Sequence, residues 1–151
     1  MTEALVFSMG KYQAPIPVDR LYAPNHVWLK PDGDTYRVGF TAYSVRLLND
    51  VYFLEWDIEP GTSVRERQEI GQIESSKAVA SLYAPADGVI VEFNQSLLDD
   101  PTPINTSGYD AGWLYRLKTE AELLTPQQYV RMLEDRWEDT QRMLKGQINE
   151  P

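Results

Sequence analysis

From His26 to Phe93 the chain is a succession of short apolar runs broken by glycine and proline turns. Runs of this length are too short for a helical core, so they must be buried as strands packed on one another. HVWLKPDGDTYRVGFT reads as two strands joined at Pro31-Asp32-Gly33-Asp34, with Val27/Leu29 and Tyr36/Val38 alternating. TAYSVRLLND spaces Ala42, Val45 and Leu48 as a short helix and offers Thr41 as its N-cap. VYFLEWDI is a strand closed by Glu59-Pro60-Gly61. QEIGQIES and AVASLYA are strands on either side of Lys77, and GVIVEF is entered through Pro85-Ala86-Asp87-Gly88. The pattern predicts a compact, mainly β core.

The two ends read differently. Pro15, Pro17 and Pro24 interrupt any regular element in the first 25 residues, which predicts an irregular arm over 1–25. After GWLYRLK the period becomes helical. Thr125-Pro126-Gln127-Gln128 forms a capping box with proline at the first helical position. Tyr129, Met132, Leu133, Trp137 and Leu144 make an apolar stripe, and Gly146 is positioned to end the helix. That stripe either packs on the core or faces a partner. The expected division is an arm over 1–25, a β domain over 26–120 and a helical extension over 121–151.

Composition removes several functions. A net charge of −9 opposes binding to nucleic acid phosphates and to anionic membranes. The absence of cysteine excludes disulfides, thiol nucleophiles and thiolate metal sites, and the one histidine, His26, cannot build a zinc site alone. Beside Trp28, His26 reads as a structural residue. MTEALVFSMGKY has no signal-peptide pattern and no apolar run reaches membrane length, so a cytoplasmic protein is expected. No phosphate-binding glycine loop is present. Glu55, Asp57, Glu59, Asp99 and Asp100 read as a solvated acidic face rather than an acid–base pair.

One residue stands apart. Lys77 is the only lysine between Pro31 and Leu117, and it falls between small residues at the junction of two strand runs. A lysine with neither burial nor a like charge to activate it makes a poor general base. Adjacent strand residues point to opposite faces, so Ser76 and Lys77 form no dyad unless a turn bends them together. An exposed amine flanked by Ser76 and Ala78 is, however, accessible to acylation, and the acyl group would project as a tethered carrier. On residues alone, an ordinary surface lysine is the favoured reading.

The segment IESSKAVASLYAPADGVIVEFNQSL resembles the lipoyl-lysine segment of glycine cleavage system H proteins. The resemblance runs from Tyr22 to about Lys118 and includes His26-Val27-Trp28, VGFTAYSVRLLNDVYFLEW, LLDDPTPIN and GYDAGWLYRLK. It implies a lipoyl-domain-like barrel-sandwich hybrid with short helices and a C-terminal helix. It implies lipoate held on Lys77 as N6-lipoyllysine, with Glu74 read by the lipoate ligase or lipoyl transferase, no catalytic residue, and dihydrolipoamide dehydrogenase among the partners. Ser76 and Ala78 favour lipoate over biotin, whose carriers place methionines beside the lysine. Departures from the family pattern are Val27 in place of a glutamate near the arm, Asn49 in place of a glycine, the charged stretch DIEPGTSVRERQ, and a longer leader and tail. These traits resemble the lipoate-binding proteins of heterodisulfide-reductase-like sulfur oxidation. His26 and Val27 are then the arm's surroundings, and sulfur oxidation enzymes its partners. Val27 would suit an uncharged sulfur-bearing arm, so the chain would not replace a glycine cleavage H protein. An aminomethyl carrier of glycine cleavage and an unmodified interaction module are the alternatives.

Overall fold

The computed structural model describes residues 3–149, with side chains described through residue 137. Eleven strands and four helices follow one another: β1 (Ala4–Met9), β2 (Tyr12–Pro17), β3 (Leu21–Ala23), β4 (Val27–Asp32), β5 (Thr35–Phe40), α1 (Ala42–Leu48), β6 (Val51–Trp56), β7 (Thr62–Val64), β8 (Glu69–Ser75), β9 (Val79–Tyr83), β10 (Gly88–Phe93), α2 (Gln95–Asp99), α3 (Thr102–Thr106), β11 (Tyr115–Lys118) and α4 (Pro126–Asn149). The strands form a six-stranded sheet in the order β3-β4-β5-β11-β10-β7, a three-stranded sheet β6-β8-β9, and a separate β1-β2 ribbon.

The first two sheets enclose the main core. Val27, Leu29, Val38, Phe40, Ile90 and Leu117 from one meet Val51, Leu54, Ile70 and Ile73 from the other, all buried. Strand alternation turns Trp28 to the opposite face, where it joins Phe7, Ile16, Tyr22, Tyr43, Tyr129 and Leu133 in a second cluster. Gly39 lies opposite Trp28 in register, and a Cβ there would sit 2.5 Å from the indole. Only glycine lets the ring lie across that strand.

The expected barrel is not formed: no sheet closes. Between the two sheets the chain travels through α1, through the turn at Asp57–Gly61, through the turn at Arg65–Gln68 and through the Pro85–Asp87 turn. None of these is a strand bent from one sheet into the other, so no hydrogen-bonded ladder links them. The architecture is a lipoyl-domain-like sandwich with short helices.

The leader is also more regular than its prolines predict. β1 and β2 pair as an antiparallel hairpin, with Met9 opposite Tyr12 and Gly10 at φ +64° in the turn. Val18 N donates to Glu3 O at 3.0 Å, so the bonded pairs that follow are Leu5–Ile16, Phe7–Ala14 and Met9–Tyr12. Pro15 and Pro17 occupy the alternate positions, whose backbone nitrogens point away from β1 and have no ladder bond to lose.

At the other end the capping box forms: Gln128 N donates to Thr125 Oγ1 at 3.1 Å and Thr125 N to Gln128 Oε1 at 2.9 Å. Tyr129 and Leu133 are buried and Trp137 stands edge-on to Phe7 at 5.7 Å. The stripe therefore packs inward, on the β1-β2 ribbon and α1. Gly146 lies within α4 and does not end it, and the side chain of Leu144 is outside the described residues. Among the described residues no helix is long and apolar enough to cross a membrane.

Candidate functional site

Lys77 lies in the tight connection between β8 and β9, exposed, with Ser76 and Ala78 exposed on either side. The turn is held from within by Ser75. Its backbone N–H donates to Ala78 O at 2.8 Å, and its buried Oγ accepts from Lys77 N at 3.3 Å and Ala78 N at 3.2 Å. A serine hydroxyl gathering successive backbone N–H groups is a common turn device, and it spends Ser75 on the backbone rather than on the lysine amine. Ser75 is therefore not available for a dyad with the lysine.

The hairpin is also fastened to its surroundings. Ser76 N donates to Asp50 O at 3.1 Å. The next residue, Val51, exchanges two bonds with the Asn105 side chain of α3, each 2.9 Å. Asn105 was not singled out in the sequence; a lone asparagine within LLDDPTPIN gives no sign of what it grips. Glu74 sits half-buried on β8, level with Phe53 of β6 and Val79 of β9. Phe53, Val79 and neighbouring Tyr52 are exposed apolar side chains around the approach to Lys77.

Asn49, between α1 and β6, has φ +62° and ψ −142°. That combination is open to glycine and costs other residues about 1–3 kcal/mol. Asn49→Gly should raise stability by about 1 kcal/mol, read as a higher denaturation midpoint; an unchanged or lowered midpoint would show that the asparagine is compensated locally.

A cleft of about 170 Å³ opens beside β9. Val27, Phe40, Leu48, Ile70 and Ala80 give it apolar walls, and Asn25, Ser44 and Ser81 add polar groups; none of its lining residues is charged. Val27 is a core side chain paired with Phe40 as well as a wall of this cleft.

His26 does not line the cleft. Its Nδ1 lies 3.0 Å from the Tyr129 hydroxyl, and its ring packs on Tyr43 at a centroid distance of 4.7 Å. Burial, with Arg136 nearby, lowers its pKa to about 4. The folded value lies below the unfolded value of about 6.5, so the neutral ring's stabilisation is fully present above pH 6.5 and is lost as pH falls towards 4. Wild type should lose about 2–3 kcal/mol more than His26→Asn over that window. Asparagine tolerates the residue's positive φ of 68°. Parallel pH–stability curves for the two proteins would refute this assignment.

The described residues contain no cluster of histidine, aspartate and glutamate able to hold a metal ion. The exposed amine on a rigid turn, unobstructed by its neighbours, fits covalent attachment of an acyl cofactor.

Comparison with known proteins gives one answer. The family profile described as Glycine cleavage H-protein matches residues 20–136. The glycine cleavage system H protein of Rubrobacter xylanophilus is 42% identical over 124 residues, spanning 81% of this chain and 98% of that protein. That of Thermobifida fusca is 36% identical over 122 residues, 79% and 96% of the two chains. A crystal structure of a glycine cleavage system H protein from Mycobacterium marinum superposes with a TM-score of 0.70 at 40% identity, covering 79% of this chain and 99% of that one.

These matches overturn the assignment to sulfur oxidation, with its heterodisulfide-reductase-like partner enzymes and its sulfur cargo, and with it goes the ground for expecting that the chain would not replace an H protein. The traits behind that assignment have local structural explanations. Val27 fills the core, DIEPGTSVRERQ builds turns around β7, the leader forms β1-β2 and the tail forms α4.

Proposed function

The chain belongs to the glycine cleavage H-protein family, whose members are non-catalytic carriers and whose membership implies a lipoyl-lysine site, and from that premise we propose that it carries the aminomethyl group of glycine cleavage on a lipoate amide-bonded to Lys77. The observation that carries this reading is the position of Lys77: an exposed primary amine, on a turn locked by Ser75, within the region matched to the family. When bound, the lipoyl group supplies a reducible disulfide that accepts the aminomethyl unit and later yields it.

The chain's own residues hold and present that arm. Ser75 and the Asp50 carbonyl keep the lysine backbone fixed, so the modifying enzyme meets a preformed turn and pays little ordering entropy. Glu74, one step behind the turn, is a recognition residue for that enzyme. The cleft beside β9 offers the arm's hydrocarbon an apolar wall that includes Val27, with Asn25, Ser44 and Ser81 as neutral polar groups. His26 acts at a distance, as a structural residue behind β4. The partners are the glycine decarboxylase and the aminomethyltransferase of the same system.

The test is direct. The chain, expressed with lipoate and a competent ligase, is offered to those two enzymes alongside an authentic H protein. Aminomethyl transfer comparable to the authentic carrier is expected. A lipoylated chain that neither enzyme accepts would overturn the reading.

A further inference from the structure

Tyr52 and Phe53 break the alternation of β6. Val51 and Leu54 are buried, yet both residues between them are exposed, Tyr52 at 60% and Phe53 at 42%. The cause is a bulge. Val51 pairs with Ser75 and Phe53 with Glu74, so two steps along β6 match one along β8 and Tyr52 is the extra residue. In a regular strand one of the two rings would have turned into the core.

Phe53 stands in register with Glu74, and Glu74 with Val79 of β9, which is 68% exposed. Paired residues share a face, so Phe53, Glu74 and Val79 form a row across the three strands, with Tyr52 beside it. Val79 follows Lys77 by two residues and Glu74 precedes it by three, which puts the row against the lysine turn. The next row on this face is Glu55, Gln72 and Ser81. Neither row has a basic side chain. Apolar groups held open to solvent and edged by carboxylates suit a partner surface that is apolar with a basic rim.

We propose that this row is the docking surface of the enzyme that attaches lipoate, a proposal that rests on Lys77 as the attachment point. Reach selects this occupant. Attachment takes place at Nζ, where the ammonium gives up its protons to solvent as its nitrogen attacks the carbonyl of a lipoyl adenylate. The amide C–N bond forms, and the acyl–oxygen bond to AMP breaks. That carbonyl must come within one lysine side chain of the turn backbone, so the attaching enzyme has to cover the residues next to the turn. Enzymes that act on the dithiolane work at the far end of the finished arm and reach it without covering the row. The bulge therefore serves the attaching enzyme: it offers two aromatic rings where a regular strand offers one.

Phe53→Thr and Val79→Thr, singly and together, keep strand preference while removing apolar surface. With a lipoate ligase, lipoate and ATP, the double variant should raise the KM for this chain about tenfold and leave kcat near wild type. Val91→Thr, an exposed position on β10 in the other sheet, should change neither. The thermal midpoint of each protein confirms folding. Once lipoylated by prolonged incubation, the arm of each variant should be reduced by dihydrolipoamide dehydrogenase at the wild-type rate. A wild type modified normally beside folded variants with an unchanged KM would overturn this proposal alone, as would an equal rise in KM for Val91→Thr. Arm reduction that fell in step with lipoylation would overturn the attaching enzyme as the occupant of the row. Absence of lipoyl mass on wild-type Lys77 would overturn the attachment reading and this proposal with it.

Discussion

Lys77→Arg should give a folded protein that takes up no lipoate and carries no aminomethyl group. Arginine keeps the charge and most of the length, but its guanidinium stays protonated and offers no amine for amide formation. The turn itself depends on Ser75 Oγ and on backbone bonds, none of which involves the lysine side chain. The substitution should therefore leave stability within about 0.5 kcal/mol of wild type. Intact mass after expression with lipoate and ligase reads the first outcome, and transfer between the decarboxylase and aminomethyltransferase reads the second. Lipoyl modification persisting in the variant, at Lys30 or Lys118, would remove Lys77 as the attachment point. The denaturation midpoint of the same sample separates loss of the amine from loss of the fold.

That Lys77 falls at a turn between two strands was legible from the strand runs on either side of it, whereas its reading as an attachment site came from the family resemblance, since residues alone favour an ordinary surface lysine. Most of the sandwich was legible for a similar reason. β4, β5, β6, β8, β9 and β10 each carry an alternation or apolar run bounded by turn residues, and Thr125–Gln128 spells out its cap. What failed was inference from single residues. Three prolines suggested an irregular leader, yet which backbone nitrogens a ribbon leaves unpaired depends on register, and register depends on the Gly10 turn. Val27 suggested the chemistry of a cargo, yet its inward position opposite Phe40 makes it a packing residue first. Gly146 suggested a helix end, but one glycine costs a helix interior only about 1 kcal/mol and α4 continues through it. Closure of the sheets and the grip of Asn105 on Val51 are long-range facts with no local signature.

Tyr129→Ala should be among the most destabilising single changes in the protein, because this one side chain joins segments from both ends of the sequence. Its ring is fully buried and stacks on Tyr22 at 4.7 Å with an interplanar angle of 4°. Its hydroxyl lies 3.0 Å from both His26 Nδ1 and Thr41 Oγ1, and Thr41 is the N-cap of α1. Truncation removes the stacked ring and opens a cavity where α4 meets β3 and β4, a loss of about 3–5 kcal/mol. Tyr129→Phe keeps the ring and isolates the hydroxyl, which should cost about 1–3 kcal/mol by leaving His26 Nδ1 without its partner, while Thr41 Oγ1 keeps His26 O and Ser44 N. Chemical denaturation of the three proteins would order them as wild type, phenylalanine, alanine. The Lys77 turn lies in the other sheet, fastened by Asp50 and Asn105, so the rate of lipoylation per folded molecule should be unchanged in all three. A midpoint for Tyr129→Ala equal to that of wild type would mean that α4 is not held to the sandwich through this residue. A lipoylation rate that fell in step with stability would mean that the two clusters are coupled and that the hairpin is less independent than its hydrogen bonds indicate.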